Sequence, residues 1–294
     1  MQIEKLVAEA LPDHQVLEVL PRTGGELSTV FEVRLDAEPT AVIVKVYADE
    51  WAWKQVKEVY VYSLLKSSLS SVPEVLYVGA GYTVLTKLEG VPLSQVEVAP
   101  EDWYDVYHQL GQLVRRFHGV AQPAYGYVVE EVLDPKPDNT SYMAGQFAKK
   151  LQEFADLGGA ADLHDRIESY VAHHSHLLAK ATDPVLCHND VHEGNVLVVP
   201  GASGWRITGL IDVENAIAAD PLMDLAKTDC YSIRNNQHKL DGLLAGYGDL
   251  PPDWQPRMTL YRLYHALELW DWFASTNNPA PLPSIASDLT KIVG

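Results

Sequence analysis

Cysteine is scarce in this sequence, and its scarcity excludes one class of fold. Only Cys187 and Cys230 occur, and neither stands in a CxxC spacing. Two cysteines are too few for the disulfide framework on which small secreted domains depend. The sequence therefore predicts a chain that folds around a hydrophobic core, in a reducing, cytoplasmic setting.

Basic residues and long apolar runs are also in short supply. The chain has 22 basic residues against 40 acidic ones, for a formal net charge of -18. This charge repels nucleic-acid phosphates and favours a cationic ligand, although an acidic surface that serves only solubility accounts for it equally well. No apolar run reaches membrane-spanning length, and the opening MQIEKLVAEALPDH lacks the pattern of a signal peptide. We expect neither a nucleic-acid nor a membrane partner.

The order of the predicted elements indicates an α+β chain in two parts. Alternating stretches such as LEVLPRTGGELSTVFEVRL, TAVIVKVY and VPEVLYVGAGYTVLTKLEG predict a small antiparallel sheet, with one helix over WAWKQVKEVYVYSLLKSSL. From EDWYDVYHQLGQLVRRFHGV onward the spacing is mainly helical, apart from a predicted hairpin of VLVV and WRITGLIDV. The change near LTKLEGVPL predicts an N-terminal lobe of residues 1–88 and a C-terminal lobe of residues 89–294.

A dense set of polar residues lies between two apolar runs in VLCHNDVHEGNVLVV, residues 185–199. Asp190 and Asn195 lie on this loop, and Asp212 ends the next predicted strand in LIDVEN. The hairpin should bring their oxygen atoms to one end of the same small sheet. Such ligands suit Mg²⁺, which usually shares its coordination shell with phosphates and water. We therefore expect a phosphate-bearing cosubstrate.

His188, Asp190 and Asn195 follow the spacing HxDxxxxN, with Asp212 at the end of the next strand. This pattern resembles the catalytic loop and metal-binding aspartate of the aminoglycoside phosphotransferase and choline kinase superfamily. The resemblance implies a two-lobed protein-kinase-like fold and transfer of the γ-phosphoryl group of ATP or GTP. It also implies that Asp190 accepts the proton of the attacking hydroxyl, that Asn195 and Asp212 hold Mg²⁺, and that His188 braces the loop.

The same resemblance assigns the nucleotide to the N-terminal lobe. Lys45, in VIVKVY, would reach the α- and β-phosphates, with Glu58 as its ion-pair partner and Glu50 as the alternative. The sequence lacks a full GxGxxG loop, but RTGGELST offers small residues beside the phosphates, and LTKLEGVPL resembles the hinge that meets the adenine edge. The further nucleotide-binding candidates are Gly24, Gly25, Ser28, Thr86 and Leu88.

Four polar residues near the motif are interpreted as structural. His192 and Glu193 are assigned to the loop surface. Asp220 and Asp224, in NAIAADPLMDLAK, match a second acidic pair of the superfamily, and we interpret both as residues that start a helix.

The acceptor has to be inferred from the helical lobe. Glu268, Trp270 and Asp271 lie together in YRLYHALELWDWFA, where carboxylates could bind ammonium groups and an aromatic face a quaternary amine. The alternative is that the tryptophan fills the core. An aminoglycoside or similar antibiotic is our first prediction, while HNDVHEGNVL favours choline or another amino alcohol, and a sugar or a macrolide stays open. A nucleotide-binding pseudokinase scaffold is the non-enzymatic alternative, and the absence of an APE segment argues against protein-kinase activity.

Overall fold

The N-terminal lobe is built around one antiparallel sheet. The computed structural model describes residues 3–22, 28–181, 183–202 and 204–294. Within this part of the chain, the elements of the lobe are α1 (Ile3–Ala10), β1 (Val16–Arg22), β2 (Ser28–Leu35), β3 (Ala41–Tyr47), α2 (Ala52–Leu65), β4 (Val75–Gly79) and β5 (Tyr82–Thr86). The five strands pair in the order β1-β2-β3-β5-β4.

The two-residue period of β3 gives the sheet two different faces. Val42 and Val44 are fully buried in a small apolar core that α1 completes. Burial of each such side chain stabilises the fold by about 1.5–3 kcal/mol. The opposite face carries Ile43, Lys45 and Tyr47, because successive side chains of a strand point to opposite sides. One alternating strand therefore anchors the sheet and presents a lysine on its other face.

The C-terminal lobe is larger and mainly helical. Its elements are β6 (Val91–Pro92), α3 (Trp103–Phe117), β7 (Tyr125–Val128), β8 (Val132–Lys136), α4 (Asn139–Asp156), α5 (Ala161–His174), β9 (Val185–Cys187), β10 (Val196–Pro200), β11 (Trp205–Leu210), β12 (Ile217–Ala219), α6 (Pro221–Thr228), α7 (Gln237–Tyr247), α8 (Trp254–Ser275) and α9 (Leu282–Val293). The core of this lobe includes buried side chains of α3, α4, α6 and α8, and it extends to Val61, Tyr62 and Leu65 of α2. Helix α2 therefore packs on the core of the helical lobe, which also includes Leu85 of β5 and contacts Ile43 of β3.

Two further sheets hold the polar loop of residues 188–195. The predicted hairpin is confirmed, since β10 and β11 pair antiparallel, and β6 adds a third strand on the other side of β10. Strands β8, β7, β12 and β9 form the other sheet, in that order. The loop connects β9 of one sheet with β10 of the other, so its ends are fixed by two separate ladders.

The predicted α+β class, with a small antiparallel sheet before a larger helical lobe, is confirmed. The boundary after residue 88 stays a prediction, and the pairing of Val91 with Val198 joins the segment beyond it to the C-terminal hairpin. Among the helices of the described residues, none combines the length and apolar character needed to cross a bilayer.

Candidate active site

A cavity of about 430 Å³ lies between the N-terminal sheet and the C-terminal hairpin. The described residues that were predicted for the nucleotide and the metal all meet in it, whereas Asp190 is not part of its lining. Its lining includes Ser28, Ile43, Lys45, Glu58, Thr86, Leu88, Asn195 and Asp212. Gly24 and Gly25 lie outside the described residues. The predicted nucleotide and metal residues from both lobes therefore face one space.

Lys45 connects the two lobes at the inner end of this cavity. Its Nζ lies 2.9 Å from Glu58 Oε1 on α2 and 3.0 Å from Asp212 Oδ1 beyond β11. Glu58 also accepts a hydrogen bond from the buried Tyr47 hydroxyl. Glu50, the alternative partner, is exposed to solvent. The structure thus gives the ion pair to Glu58 and adds Asp212 as a second partner.

The surrounding charges keep this group of side chains ionised. Burial lowers the pKa of Lys45, but the Glu58 and Asp212 carboxylates outweigh it, and the pKa lies well above its ordinary value. Burial likewise raises the pKa of Asp212, whereas Lys45 lowers it, and the result is a pKa below the ordinary one. Both shifts favour the charged forms at neutral pH, so a cationic ammonium is held between two carboxylates beside the cavity.

Asp212 adopts an uncommon backbone conformation. Its φ angle is 68°, in the left-handed region, which costs an ordinary residue about 1–3 kcal/mol. The preceding residue is fixed on both sides, because the Ile211 amide donates to the Asn195 carbonyl oxygen at 2.9 Å. The Ile211 carbonyl oxygen in turn lies 3.0 Å from Nε2 of the buried His188. His188 therefore contacts the backbone that turns the Asp212 carboxylate toward Lys45.

Asp190 lies on the loop beside Asn195. The side-chain nitrogen Nδ2 of Asn195 donates to the backbone carbonyl oxygen of Asp190 at 3.0 Å, and it lies 3.4 Å from Asp190 Oδ2. The Asp190 side chain is 25% exposed. The same Oδ2 also accepts a hydrogen bond from Asn215 Nδ2 at 3.2 Å. A carboxylate that is held by two asparagines and is still open to solvent can meet a substrate hydroxyl.

The ligand chemistry of this site fits a magnesium ion. Because the Asn195 amide nitrogen bonds to Asp190, the amide oxygen is the atom that Asn195 can offer to a cation. Asp212 offers a carboxylate whose lowered pKa keeps it charged. Both residues line the same cavity, and oxygen ligands of this kind suit Mg²⁺.

Asp224 holds the loop of residues 188–195 and is not simply a residue that starts a helix. Its two carboxylate oxygens accept hydrogen bonds from the backbone amides of His188 at 2.7 Å and Asn189 at 2.9 Å. His118, the residue that follows α3, approaches the same carboxylate to 3.1 Å. The helix start is formed by Asp220, whose side chain accepts from the Leu222 amide. The structural interpretation therefore holds for Asp220 and is too narrow for Asp224.

Glu193 was wrongly assigned to the loop surface. Its Oε1 accepts hydrogen bonds from the Tyr107 hydroxyl at 2.9 Å and from Lys239 at 2.6 Å. These partners belong to α3 and α7, so Glu193 ties the loop to the helical lobe. His192, in contrast, is 42% exposed, and its Nδ1 accepts from the Gly194 amide at 3.0 Å.

Trp270 and Asp271 do not form an open site for an ammonium group. The Trp270 ring is 8% exposed and packs 4.8 Å from the Phe154 ring, measured between centroids. The Asp271 carboxylate is paired with Lys150 at 2.6 Å. The core interpretation of the tryptophan is therefore correct, because a side chain that is only 8% exposed presents no open aromatic face to a ligand.

Glu268 is likewise engaged by neighbouring side chains. It lies 2.6 Å from His265 Nδ1 and 3.5 Å from Lys227 Nζ. Burial raises its pKa, but Lys227 and His265 lower it further, to about 2. Lys227 also donates to Asn189 Oδ1 at 3.3 Å. Glu268 therefore supports a lysine that contacts the loop of residues 188–195.

Among the polar residues near the site that sequence reasoning missed are Tyr47 and Asn215. Tyr47 lies two residues after Lys45, and strand periodicity alone would have placed it on the same face. Asn215 donates from Nδ2 to Asp190 Oδ2 at 3.2 Å, and no local pattern marks it. Its contact depends on how the segment after Asp212 folds back over the loop.

Three solved structures share this fold. A candidate fructosamine-3-kinase from Thermobifida fusca superposes with a TM-score of 0.71 at 20% identity, covering 99% of both chains. The aminoglycoside phosphotransferase APH(4)-Ia gives a TM-score of 0.76 at 17% identity, covering 99% of this chain and 97% of its own. The macrolide 2'-phosphotransferase MphH from Brachybacterium faecium gives 0.66 at 18%, covering 98% and 96%. At these identities the likeness shows a common kinase-like fold.

Sequence comparison gives the family directly. No curated protein sequence matches the chain. The model of the phosphotransferase enzyme family matches residues 18–260, which include Lys45, Glu58, Asp190, Asn195 and Asp212. The match spans most of the chain and both lobes of the fold, and the predicted resemblance is thereby confirmed. The chain belongs to the phosphotransferase enzyme family.

Proposed function

We propose that the protein transfers the γ-phosphoryl group of ATP or GTP to a hydroxyl group of a small molecule, with Mg²⁺. The observation that carries this proposal is the contact of Lys45 with both Glu58 and Asp212 around the interlobe cavity. Asp190 and Asn195 lie on the adjoining loop. The site thus combines a phosphate-binding cation, metal ligands and a base.

In this proposal the nucleotide occupies the cavity between the lobes. The Lys45 ammonium binds the α- and β-phosphates, and Ser28 lies beside them. The segment from Thr86 to Leu88, which lines the cavity, meets the adenine or guanine edge. APH(4)-Ia has been crystallised with ADP and with AMP-PNP, which supports a nucleotide in the corresponding fold.

The transfer follows from these positions. As the acceptor hydroxyl oxygen bonds to the γ-phosphorus, the bond from that phosphorus to the β–γ bridging oxygen breaks, and Asp190 takes the hydroxyl proton. A positioned base of this kind contributes about 10²–10⁴-fold to rate. Mg²⁺ held by Asn195 and Asp212 would neutralise charge on the phosphate oxygens. Lys45 supplies positive charge without a proton transfer, because its raised pKa keeps it protonated.

For the acceptor we propose a hydroxylated, cationic molecule, with aminoglycosides as the first class to examine. The net charge of -18 favours a cation, and APH(4)-Ia, a structural neighbour, has been crystallised with hygromycin B. Glu268 and Asp271 no longer support this choice, because lysines already neutralise them. Choline, amino alcohols, sugars and macrolides are the competing acceptors.

The test is product formation by the purified protein. MgATP or MgGTP is incubated with aminoglycosides, macrolides, fructosamines, choline and ethanolamine, and each acceptor is examined by mass spectrometry for an added phosphoryl group. We expect one acceptor class to be modified by the wild-type protein and to remain unmodified with Asp190→Asn. Nucleotide binding without transfer to any acceptor would favour the pseudokinase scaffold and contradict the proposal.

A further inference from the structure

We propose that Asn215 is a positioning residue for Asp190 and that Lys54 anchors Asn215, so that helix α2 controls the orientation of the catalytic base. This inference rests on the proposed function, because it assigns Asp190 the role of base. It concerns two residues that lie outside the HxDxxxxN pattern and the Lys45–Glu58 pair.

The three side chains form a continuous chain of contacts across the lobes. Lys54 Nζ on α2 lies 3.1 Å from Asn215 Oδ1, and Asn215 Nδ2 lies 3.2 Å from Asp190 Oδ2. The Asn215 carbonyl oxygen also accepts from the Asn189 side chain at 3.2 Å. Both the backbone and the side chain of residue 215 are therefore held against the catalytic loop.

Donor and acceptor chemistry fixes the direction of this chain. A lysine ammonium can only donate, and an ionised carboxylate can only accept. A residue that bridges the two must present an acceptor to the lysine and a donor to the aspartate. The asparagine amide supplies both, and with Oδ1 facing Lys54 its Nδ2 necessarily faces Asp190. A carboxylate at position 215 would satisfy Lys54 but would oppose Asp190.

Lys54 is built into the fold more firmly than a surface lysine. The residue is 5% exposed, and its ammonium also lies 3.4 Å from the Glu214 carbonyl oxygen and 3.5 Å from Glu214 Oε1. A buried ammonium that is surrounded by three oxygens has little freedom to move. It therefore holds the segment after Asp212 in one position relative to α2.

The spacing on α2 links this anchor to the nucleotide site. Lys54 and Glu58 are four residues apart, so they lie on the same face of the helix, one turn from each other. Glu58 holds Lys45, and Lys54 holds Asn215. One helix face thus positions a phosphate-binding residue and, through Asn215, the base. A displacement of α2 would disturb both together.

Three substitutions separate this role from a general effect on folding. Asn215→Asp keeps the shape but places a second carboxylate about 3 Å from Asp190, and we expect kcat to fall by up to about a hundredfold, the effect of a small displacement in an active site. Lys54→Met should lower kcat in the same direction, and Lys54→Arg should restore part of it. The KM for the nucleotide should change little in Asn215→Asp.

The matched controls carry the same substitutions at exposed positions, and they are Asn278→Asp and Lys66→Met. For both controls we expect wild-type kcat.

The deciding experiment is a double-mutant cycle with the acceptor that the wild-type protein modifies. If Asn215 acts through Asp190, Asn215→Asp lowers kcat in the wild-type background and has almost no further effect in the Asp190→Asn background. Equal fold losses in the two backgrounds, or wild-type kcat for Asn215→Asp, would overturn the inference. Wild-type turnover tests the proposed function, whereas the ratio between the backgrounds tests this positioning role.

A second measurement does not depend on finding an acceptor. A crystal structure of Asn215→Asp should show the Asp190 carboxylate turned away from residue 215, since the two carboxylates repel. An Asp190 side chain in its original orientation, 3.2 Å from residue 215, would contradict the positioning role even if no acceptor were modified.

Discussion

Asp224→Asn should destabilise the protein strongly, although it changes only one atom of the side chain. The Asp224 side chain is 0% exposed, and its two oxygens receive the backbone amides of His188 and Asn189. In an asparagine one of these oxygens becomes an NH₂ group, which faces the Asn189 amide at one position and the His188 amide, with His118 beside it, at the other. At either position an amide donor of the loop of residues 188–195 then faces another donor.

The size of the effect follows from what is lost. A hydrogen bond to a charged group contributes about 1.5–3 kcal/mol, and a buried donor left without a partner costs about 1–3 kcal/mol. Together they predict a loss of about 2.5–6 kcal/mol, which includes the range of about 3–5 kcal/mol that breaking a buried ion pair gives. Since whole domains are stable by only about 5–15 kcal/mol, such a loss is large.

Urea unfolding followed by circular dichroism measures this loss. Asp162→Asn is the matched control, because that side chain is 82% exposed and its partner Arg166 lies 3.9 Å away. We expect the control to remain within about 0.5 kcal/mol of wild type. An Asp224→Asn protein as stable as the control would refute the assignment of Asp224 as the support of the catalytic loop.

The difference in the free energy of unfolding between wild type and Asp224→Asn should depend on pH. Burial raises the pKa of Asp224, but the hydrogen bond and charge of His118 and the neighbouring His188 lower it further, to below its ordinary value. A lowered folded-state pKa means that the unfolded chain binds the proton more tightly. The stability from Asp224 is therefore fully present above the unfolded pKa of about 3.9 and is lost as pH falls through the lower folded-state value. The gap between wild type and Asp224→Asn should shrink only below about pH 4.

Three further predictions concern the cavity and the aromatic core. Asp190→Asn should lower kcat by about 10²–10⁴-fold while the nucleotide Kd, measured by calorimetry, stays within about threefold of wild type; near-normal kcat would remove Asp190 as the base. Asp212→Ala should weaken nucleotide binding at least about tenfold when Mg²⁺ is present and less when it is absent; equal affinity to wild type would exclude Asp212 as a metal ligand. Trp270→Ala should lower the free energy of unfolding by about 3–5 kcal/mol with an unchanged acceptor KM; a raised KM without loss of stability would return Trp270 to the acceptor site.

The sequence could predict the parts of the site that carry local patterns. The family resemblance of VIVKVY pointed to Lys45, and the HxDxxxxN spacing marked Asp190 and Asn195. The hairpin then accounted for Asp212, although β11 ends at Leu210 and Asp212 follows it in a left-handed conformation. These features depend on neighbouring residues, so they are visible in a single sequence.

Contacts between distant elements could not be predicted in the same way. Glu193 pairs with Lys239, and Lys54 with Asn215, across 46 and 161 positions of the chain. Such pairs depend on how the helices pack and not on any local spacing. The expectation that Glu268 carries a free carboxylate was wrong for the same reason, because its partner Lys227 lies on another helix. Acidic residues in a sequence therefore do not define a cation site until their partners are known.

The most direct test of the central claim is phosphoryl transfer measured by mass spectrometry, with MgATP and MgGTP, across the panel of small hydroxylated acceptors. We predict that the wild-type protein phosphorylates one acceptor class, which gains the mass of a phosphoryl group. The Asp190→Asn protein should still bind the nucleotide and should not phosphorylate the acceptor. Equal product from the two proteins would contradict the role of Asp190. Tight nucleotide binding with no phosphorylated acceptor from the wild-type protein would contradict the assignment as a small-molecule kinase.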